Sequence, residues 1–275
     1  MSLKERAFDA ARTIYSAVEQ TGVTRGVHHR LAELAAKTGL TVRANLHTGD
    51  VLHVDLAGTV GRSIWLRGRY DEALVAFLLA GVRPGDVFLD VGANVGYYTA
   101  MATRAVGPRG LVIAVEPGVR PLSMLARSIA DNEWRNVIVC SLGASASTRI
   151  LRFTPERDSG LSRVSDEGAQ AIGAAALDDV LGPWLRGKNV GALKLDVEHH
   201  ELEALAGMER TFATTPPRRV LTEAHVASGG EWLAKLFAFF TTRGYRAVDP
   251  ADGRAITIAD LGPELWNVGF VREEA

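Results

Sequence analysis

Apolar residues recur along this chain with two periods, and the change from one to the other marks its organisation. Phe8, Ala11, Ile14, Tyr15 and Val18 fall three or four apart, which predicts one face of an amphipathic helix that Gly22 ends. Val27, Leu31 and Leu34 predict a second helix from about Arg25 to Lys37, with Gly39 in a C-terminal position that tolerates left-handed backbone. Residues 41–70 instead alternate and hold the turn Thr48-Gly49-Asp50, the pattern of a small hairpin. From Asp71 onward, short near-continuous apolar runs (VFLDV, LVIAVEP, NVIVCSL, ALKLDV, RRVLTEAHV) alternate with helical segments such as YYTAMATRAV, PLSMLARSIADN, HELEALAGMERTF and EWLAKLFAFFTTRG. Strands of that kind are buried on both faces, so the chain predicts an α/β fold with a doubly wound, mostly parallel sheet covered by helices.

YRAV and WNVGFV near the C-terminus have no helix between them and are expected to pair antiparallel at one edge. The stretch from about 144 to 176 has no clear period; within it, 154–165 reads equally as an active-site loop or an edge hairpin. The chain divides into an N-terminal helical and hairpin extension, residues 1–70, and a main domain, residues 71–275. The extension is expected to cover a cleft of the main domain or to join a homo-oligomer, because its apolar faces need cover.

Charge narrows the partners. Thirty-one Lys and Arg balance 32 Asp and Glu, which is not the footprint of a nucleic-acid binder. HRLAELAAKTGLTV is faintly similar to a helix-turn-helix, but the residues after it look extended rather than like a basic recognition helix. The single cysteine, Cys140, rules out an intrachain disulfide framework and suits a reducing compartment, so a cytoplasmic protein is expected. No charge-free apolar run has the length of a membrane span, and the partner expected is a small molecule.

The chemistry gathers at the first turn of the sheet. FLDVGANVGYYTA runs a buried strand into Gly92 and Gly96 four residues apart, then into a helix. Such a turn lies beside the binding crevice of a doubly wound sheet, and glycines there let a ligand approach the backbone. The spacing is G-x-x-x-G with no third glycine, so a dinucleotide pyrophosphate is poorly provided for and NAD is disfavoured. Glu116 ends the next strand in VIAVEPG, where a carboxylate can accept two hydrogen bonds from the cis-diol of a ribose. A nucleoside without phosphates fits these two features, and S-adenosylmethionine is one.

DVGANVGYYT, VEP, LKLDVEHHELEALAG and VLTEAH together resemble the FkbM-type class I methyltransferases, over about residues 65–270. The resemblance implies a seven-stranded Rossmann-like sheet and transfer of a methyl group from S-adenosylmethionine, usually to a hydroxyl oxygen. It implies that Asp90, Gly92, Asn94 and Gly96 hold the methionine part and Glu116 the ribose, with the adenine flanked near Asn132 or within Cys140 to Leu142. One position departs from the pattern: where the family commonly has Gly after DVE, this chain has His199.

Lys194, Asp196 and Glu198 alternate and so share one side of a strand. Methyl transfer to an alcohol needs alignment and a base within reach of the hydroxyl proton, for which Asp196, His199, His200 and His225 are the candidates. Asp196, Glu223 and His225, with Glu198, also offer the hard donors of a divalent cation such as Mg2+. HHE is not the HExxH of a zinc protease. The five tryptophans, Trp65, Trp134, Trp184, Trp232 and Trp266, read as core filling. The function expected is O-methylation of a hydroxylated small metabolite, a sugar or a natural-product intermediate. Alternatives are an NAD-binding oxidoreductase and a non-catalytic nucleoside-binding module.

Overall fold

The computed structural model describes residue 37 and residues 40–156, 158–262 and 266–273. The two helices expected before Lys37 lie outside the described residues. The main body is a seven-stranded sheet ordered β12-β13-β11-β10-β3-β4-β5. Its strands are β3 (Val87–Val91), β4 (Leu111–Val115), β5 (Val137–Cys140), β10 (Val190–Leu195), β11 (Arg219–Glu223), β12 (Tyr245–Val248) and β13 (Asn267–Arg272). Only β13 runs antiparallel, inserted between β11 and β12 as the missing crossover helix before it requires. Every residue of β3 and β10 is buried, which explains their unbroken apolar runs.

Strand order reverses between β3 and β10, so the crevice of this sheet opens where those two carboxyl ends diverge. Leu177, Leu181, Leu205, Phe212, Leu236 and Phe240 pack one face of the sheet. They come from α5 (Leu177–Leu185), α6 (Glu201–Ala206), α7 (Glu209–Thr214) and α8 (Gly230–Thr241). The opposite face carries α2 (Glu72–Leu79) and α3 (Tyr97–Val106), through Phe77, Leu78, Ala102 and Val106. HELEALAGMERTF, expected as one helix, is two, because Gly207 fits against the Ser145 carbonyl where a Cβ would stand 2.0 Å from the oxygen.

The irregular stretch near 144–176 builds a second sheet, β6-β9-β7-β8, from β6 (Gly143–Ala144), β7 (Arg149–Thr154), β8 (Arg163–Val164) and β9 (Gln170–Ala175). The expected hairpin is present as β1 (Thr41–Asn45) paired with β2 (Val51–Asp55), but Thr59–Arg67 is a helix, α1, not extended chain. Its β-branched residues and Gly61 give it weak intrinsic propensity. Gly61 permits it to lie on the end of β2, where a Cβ would be 2.1 Å from the Asp55 carbonyl.

Docking of this hairpin corrects one expectation. Asn132, at the end of α4 (Val119–Asp131), lines neither of the clefts at the strand ends: its Oδ1 accepts from the Val51 N–H at 2.8 Å and its Nδ2 donates to the Val51 and Ser128 carbonyls at 2.6 and 2.7 Å. Ser128 Oγ accepts from the His53 N–H at 2.9 Å and Arg120 pairs with Asp55 at 2.5 Å, completing the clamp. Asn132→Ala strands a half-buried backbone N–H and carbonyl, and should cost about 1–3 kcal/mol in thermal or urea unfolding. S-adenosylhomocysteine affinity measured on the same variant should be unchanged.

Candidate functional site: two clefts at the strand ends

At the carboxyl end of β3 the chain turns through Gly92 (φ 79°), Asn94 (φ 50°) and Gly96 (φ 88°), all left-handed. The bare backbone serves the protein's own packing first. A Cβ on Gly92 would lie 1.8 Å from the Asp196 carbonyl oxygen, and one on Gly96 2.5 Å from Leu125 Cδ1. Gly92 still walls the crevice, but Gly96 and Asp90 do not reach it. Asp90 is fully buried behind the turn, with Oδ2 accepting from Thr99 Oγ1 at 2.6 Å and Oδ1 without a hydrogen bond. Burial pushes its carboxyl up, opposed by the charge of Lys194.

Lys194, 5% exposed, is its partner across the sheet, in register with Asp90. Its Nζ donates to the Gly92 carbonyl at 2.5 Å and meets Asp196 Oδ2 at 3.0 Å. Burial disfavours the ammonium, yet Asp196 and Asp90 together hold its pKa above the usual lysine value. One cation therefore fastens the glycine turn to the residue that ends β10.

The first cleft lies over this turn. Glu116 accepts from the Asn94 N–H through Oε2 at 2.8 Å and from the Gly118 N–H through Oε1 at 2.7 Å. Burial raises its pKa to about 7 against those two bonds and Lys194. Each oxygen keeps a lone pair free, on a carboxylate already aimed. Val91, Val115 and Pro117 line the cavity from the main sheet, and Ala144, Phe153, Val164 and Ile172 from the small one. Sequence reasoning missed this second wall because β6 and β8 are two residues long and β7 and β9 are half exposed, so neither leaves a continuous apolar run. Leu142 packs into the main core and leaves the lining to Gly143 and Ala144.

Asp196, Glu198, Asn94 and Gly160 line this cleft and a second one beside it. The second is walled by Tyr70, Asp71, Tyr98, Lys194, Thr222, Glu223, Asn267 and Trp266. Carboxylate oxygens of Asp196, Glu198 and Glu223 lie within 4.8 Å of one another. Burial and the Asp196 charge raise Glu198 to about 7; burial, then Asp196 and Glu198, raise Glu223 to about 8. Trp266 is 63% exposed at the mouth, not core filling, while Trp65 is buried as expected. The loop between β7 and β8 is both things expected of it: an edge hairpin whose tip, through Gly160 and Ser162, walls the first cleft.

The histidines separate. His200 lines the first cleft, 3.3 Å from Ser145 Oγ, and burial lowers its pKa, opposed by Glu203. His199 lines neither cleft. It holds φ 70° and stacks on His225 at 3.8 Å between ring centroids. Its N–H donates to His225 Nε2 at 3.2 Å. His225 Nε2 lies 3.4 Å from Glu201 and 3.5 Å from Glu223, at the edge of the acid cluster; of the four donors expected, Asp196, Glu198 and Glu223 are the three whose oxygens gather within 4.8 Å of one another. Burial disfavours the charged form of His225, but Glu201, Glu223 and Glu198 outweigh that and raise its pKa. Asp71 was not anticipated; it precedes α2 with φ 45°, 3.4 Å from the Tyr98 hydroxyl. No helix among the described residues is long and apolar enough to cross a membrane.

A doubly wound sheet with a glycine turn, a buried acid one strand over and a second cleft at the neighbouring strand end is the architecture of a class I methyltransferase. The chain belongs to the FkbM methyltransferase family: the Methyltransferase FkbM domain matches residues 90–247, more than half of its length. It is 30% identical over 175 residues to the hexuronic acid methyltransferase AglP of Haloferax volcanii, covering 63% of this chain and 69% of that one. It is 28% identical over 206 residues to the 31-O-demethyl-FK506 methyltransferase FkbM of Streptomyces tacrolimicus, covering 62% and 76%. The crystal structure of methyltransferase FkbM from Methylobacillus flagellatus is 18% identical, with a TM-score of 0.47 over 76% of this chain. This chain spans about half, 52%, of that one.

Glu223 gives a pH test. Its folded pKa of about 8 stands above the unfolded value near 4.5, so the fold favours the protonated form, and the wild type loses stability as pH rises from about 4.5 to about 8, the loss being complete above that. Glu223→Gln, permanently neutral, should melt like the wild type near pH 4 and be more stable at pH 9, by roughly a few kcal/mol. Thermal melts across that range read the difference.

Proposed function

We propose that this chain transfers the methyl group of S-adenosylmethionine to a hydroxyl oxygen of a small polar acceptor. The observation that carries this reading is Glu116: a buried carboxylate, held by two backbone N–H groups at the end of β4, facing a cavity that opens at Asp196 onto a second cleft. The first cleft fits a phosphate-free nucleoside. Among the described residues its lining contains no Lys or Arg, but three carboxylates, Glu116, Asp196 and Glu198. That charge disfavours a pyrophosphate, and with it an NAD-dependent oxidoreductase, and favours a positively charged sulfonium. When bound, the cofactor supplies a methyl carbon activated by that sulfonium.

This chain's residues do the rest. Glu116 holds the ribose diol, and the apolar side chains of the two sheets enclose the base and exclude water. Asp196, one-third exposed and shared by both clefts, accepts the hydrogen bond of the acceptor hydroxyl and takes its proton as the oxygen attacks. Lys194 fixes the Asp196 carboxylate, so that proton transfer needs no search for the rotamer. His200 remains neutral beside the cofactor cavity, outside the acceptor cleft. The name of FkbM, a 31-O-demethyl-FK506 methyltransferase, supports transfer to oxygen, and that of AglP, a hexuronic acid methyltransferase, a polar acceptor.

A second reading rests on the spacing of Asp196, Glu198 and Glu223. Their all-oxygen donor set suits Mg2+ or Mn2+ rather than zinc, and a cation held there would acidify an acceptor hydroxyl.

Calorimetric titration with S-adenosylhomocysteine and single-turnover assays separate these roles. Glu116→Ala should weaken binding on the order of 100-fold, at the cost of two charge-assisted hydrogen bonds. Asp196→Asn should leave binding within threefold and lower kcat by about 100- to 10,000-fold. A fully active Asp196→Asn protein removes both the base and the metal reading. Turnover should survive EDTA; loss that Mg2+ restores would replace the simple base with the metal reading.

A further inference from the structure

The second cleft selects by charge. Asp71, Asp196, Glu198 and Glu223 stand around its floor, and the one cation in its lining among the described residues, Lys194, is already engaged by Asp196 and the Gly92 carbonyl. Asp71 is held from both sides by phenols, Tyr70 and Tyr98. Thr222 Oγ1, in the same lining, is buried and has no hydrogen-bond partner. Above this polar floor Trp266 presents an exposed indole, its backbone fixed by the Ala224 N–H, which donates to the Trp266 carbonyl at 2.6 Å. Carboxylate acceptors below and an aromatic face above suit one ligand chemistry: a ring whose edge carries several O–H donors and whose C–H face stacks.

Resting on the reading that this cleft takes the acceptor, we infer that the acceptor is an uncharged polyol, such as a neutral glycoside ring stacked on Trp266, and that Asp71, Glu198 and Glu223 exclude acceptors carrying a carboxylate, phosphate or sulfate at the reacting end. A hydroxyl can give its hydrogen to any of these oxygens. An acceptor carboxylate adds negative charge to a cluster whose burial and mutual repulsion already hold Glu198 and Glu223 protonated up to about pH 7 and 8, and among the described lining residues it finds no free cation to meet it. In this the chain parts from the relative named as a hexuronic acid methyltransferase. The reaction balances without a further reactant: the acceptor oxygen forms a bond to the methyl carbon as the carbon–sulfur bond breaks, the sulfur keeps the electron pair, and the hydroxyl proton goes to Asp196.

Matched pairs test this: methyl hexopyranosides and the corresponding methyl hexuronopyranosides, assayed with methyl-labelled S-adenosylmethionine. The expected kcat/KM ratio favours the neutral member by on the order of 100-fold or more. The label should survive mild alkali, as a methyl ether does and a methyl ester does not. Asp71→Asn should narrow the ratio about tenfold, mostly through KM for the uronoside. A ratio near one, a preference for the uronoside, or label released by alkali overturns the inference. So does absence of transfer to both members by protein that binds S-adenosylhomocysteine, which leaves the cofactor reading standing. Protein that binds no S-adenosylhomocysteine overturns the underlying reading instead. The wild-type ratio decides even where the Asp71 variant does not fold.

Discussion

The site depends on one buried ammonium. Lys194 sits where the strand order reverses, and its charge is shared among a carbonyl of the glycine turn, the Asp196 carboxylate and the fully buried Asp90 beside it in register. An isolated lysine would be strongly disfavoured in such a place, and so would the fully buried Asp90 carboxylate, while Asp196, one-third exposed, bears less of that cost. Together they form a group whose members are tolerable only in each other's presence. Because one end of that group is the backbone over which the first cleft is built and the other is the carboxylate of the second, the two clefts cannot shift independently. The close fit of Gly92 against the Asp196 carbonyl reinforces the same junction with sterics.

Glycine at position 92 illustrates how one residue can answer to a cause the sequence does not display. The pair Gly92 and Gly96 read from the sequence as room for a ligand; the structure shows that packing against Asp196 and Leu125 and the positive φ values already demand them. The first cleft is a by-product of a turn this tight. Glu198 and His199 present the opposite case: non-glycine residues hold φ of 52° and 70° one after the other, which costs each on the order of 1 kcal/mol or more. What maintains them is visible. The His199 ring is stacked on His225 and its Nδ1 lies 3.2 Å from Ser228 Oγ, so side-chain contacts supply what a missing Cβ supplies elsewhere.

The sheet and the carboxyl-end acids were legible in the sequence because strands buried on both faces leave long apolar runs, and a charged residue ending such a run stands out. Asp196, Glu116 and Glu223 were found this way. Where elements are short or half exposed, the signal fails: α1 is carried by contact with β2, and the small sheet by pairing between distant segments. Both are tertiary effects that a local window does not contain. Asp71 and Trp266 failed for another reason. Each sits in a segment whose neighbours read as ordinary helix or strand, and only the assembled fold brings them from opposite ends of the chain to one cleft. The same holds for Asn132, a helix-end residue whose amide is consumed by β2, a strand some 80 positions earlier in the chain.

Asp158 shows how the hairpin, although separate from the main sheet, bears on the site. Its Oδ2 accepts from the Thr59 N–H at 2.8 Å, serving the N-terminus of α1 as a cap from another part of the chain. Its Oδ1 accepts from the Gly160 N–H at 3.3 Å. Gly160 lines both clefts, so the tip of the β7–β8 hairpin is held over the glycine turn by a helix end that belongs to the extension. Gly58 is tied to this arrangement, since a Cβ there would stand 2.9 Å from Asp158 Oδ1. Tyr70 enters the second cleft from the same extension, with its N–H donating to the Tyr97 hydroxyl at 2.8 Å. Residues 40–70 therefore contribute Val60 and Tyr70 to the walls of the second cleft, whose lining is incomplete without them.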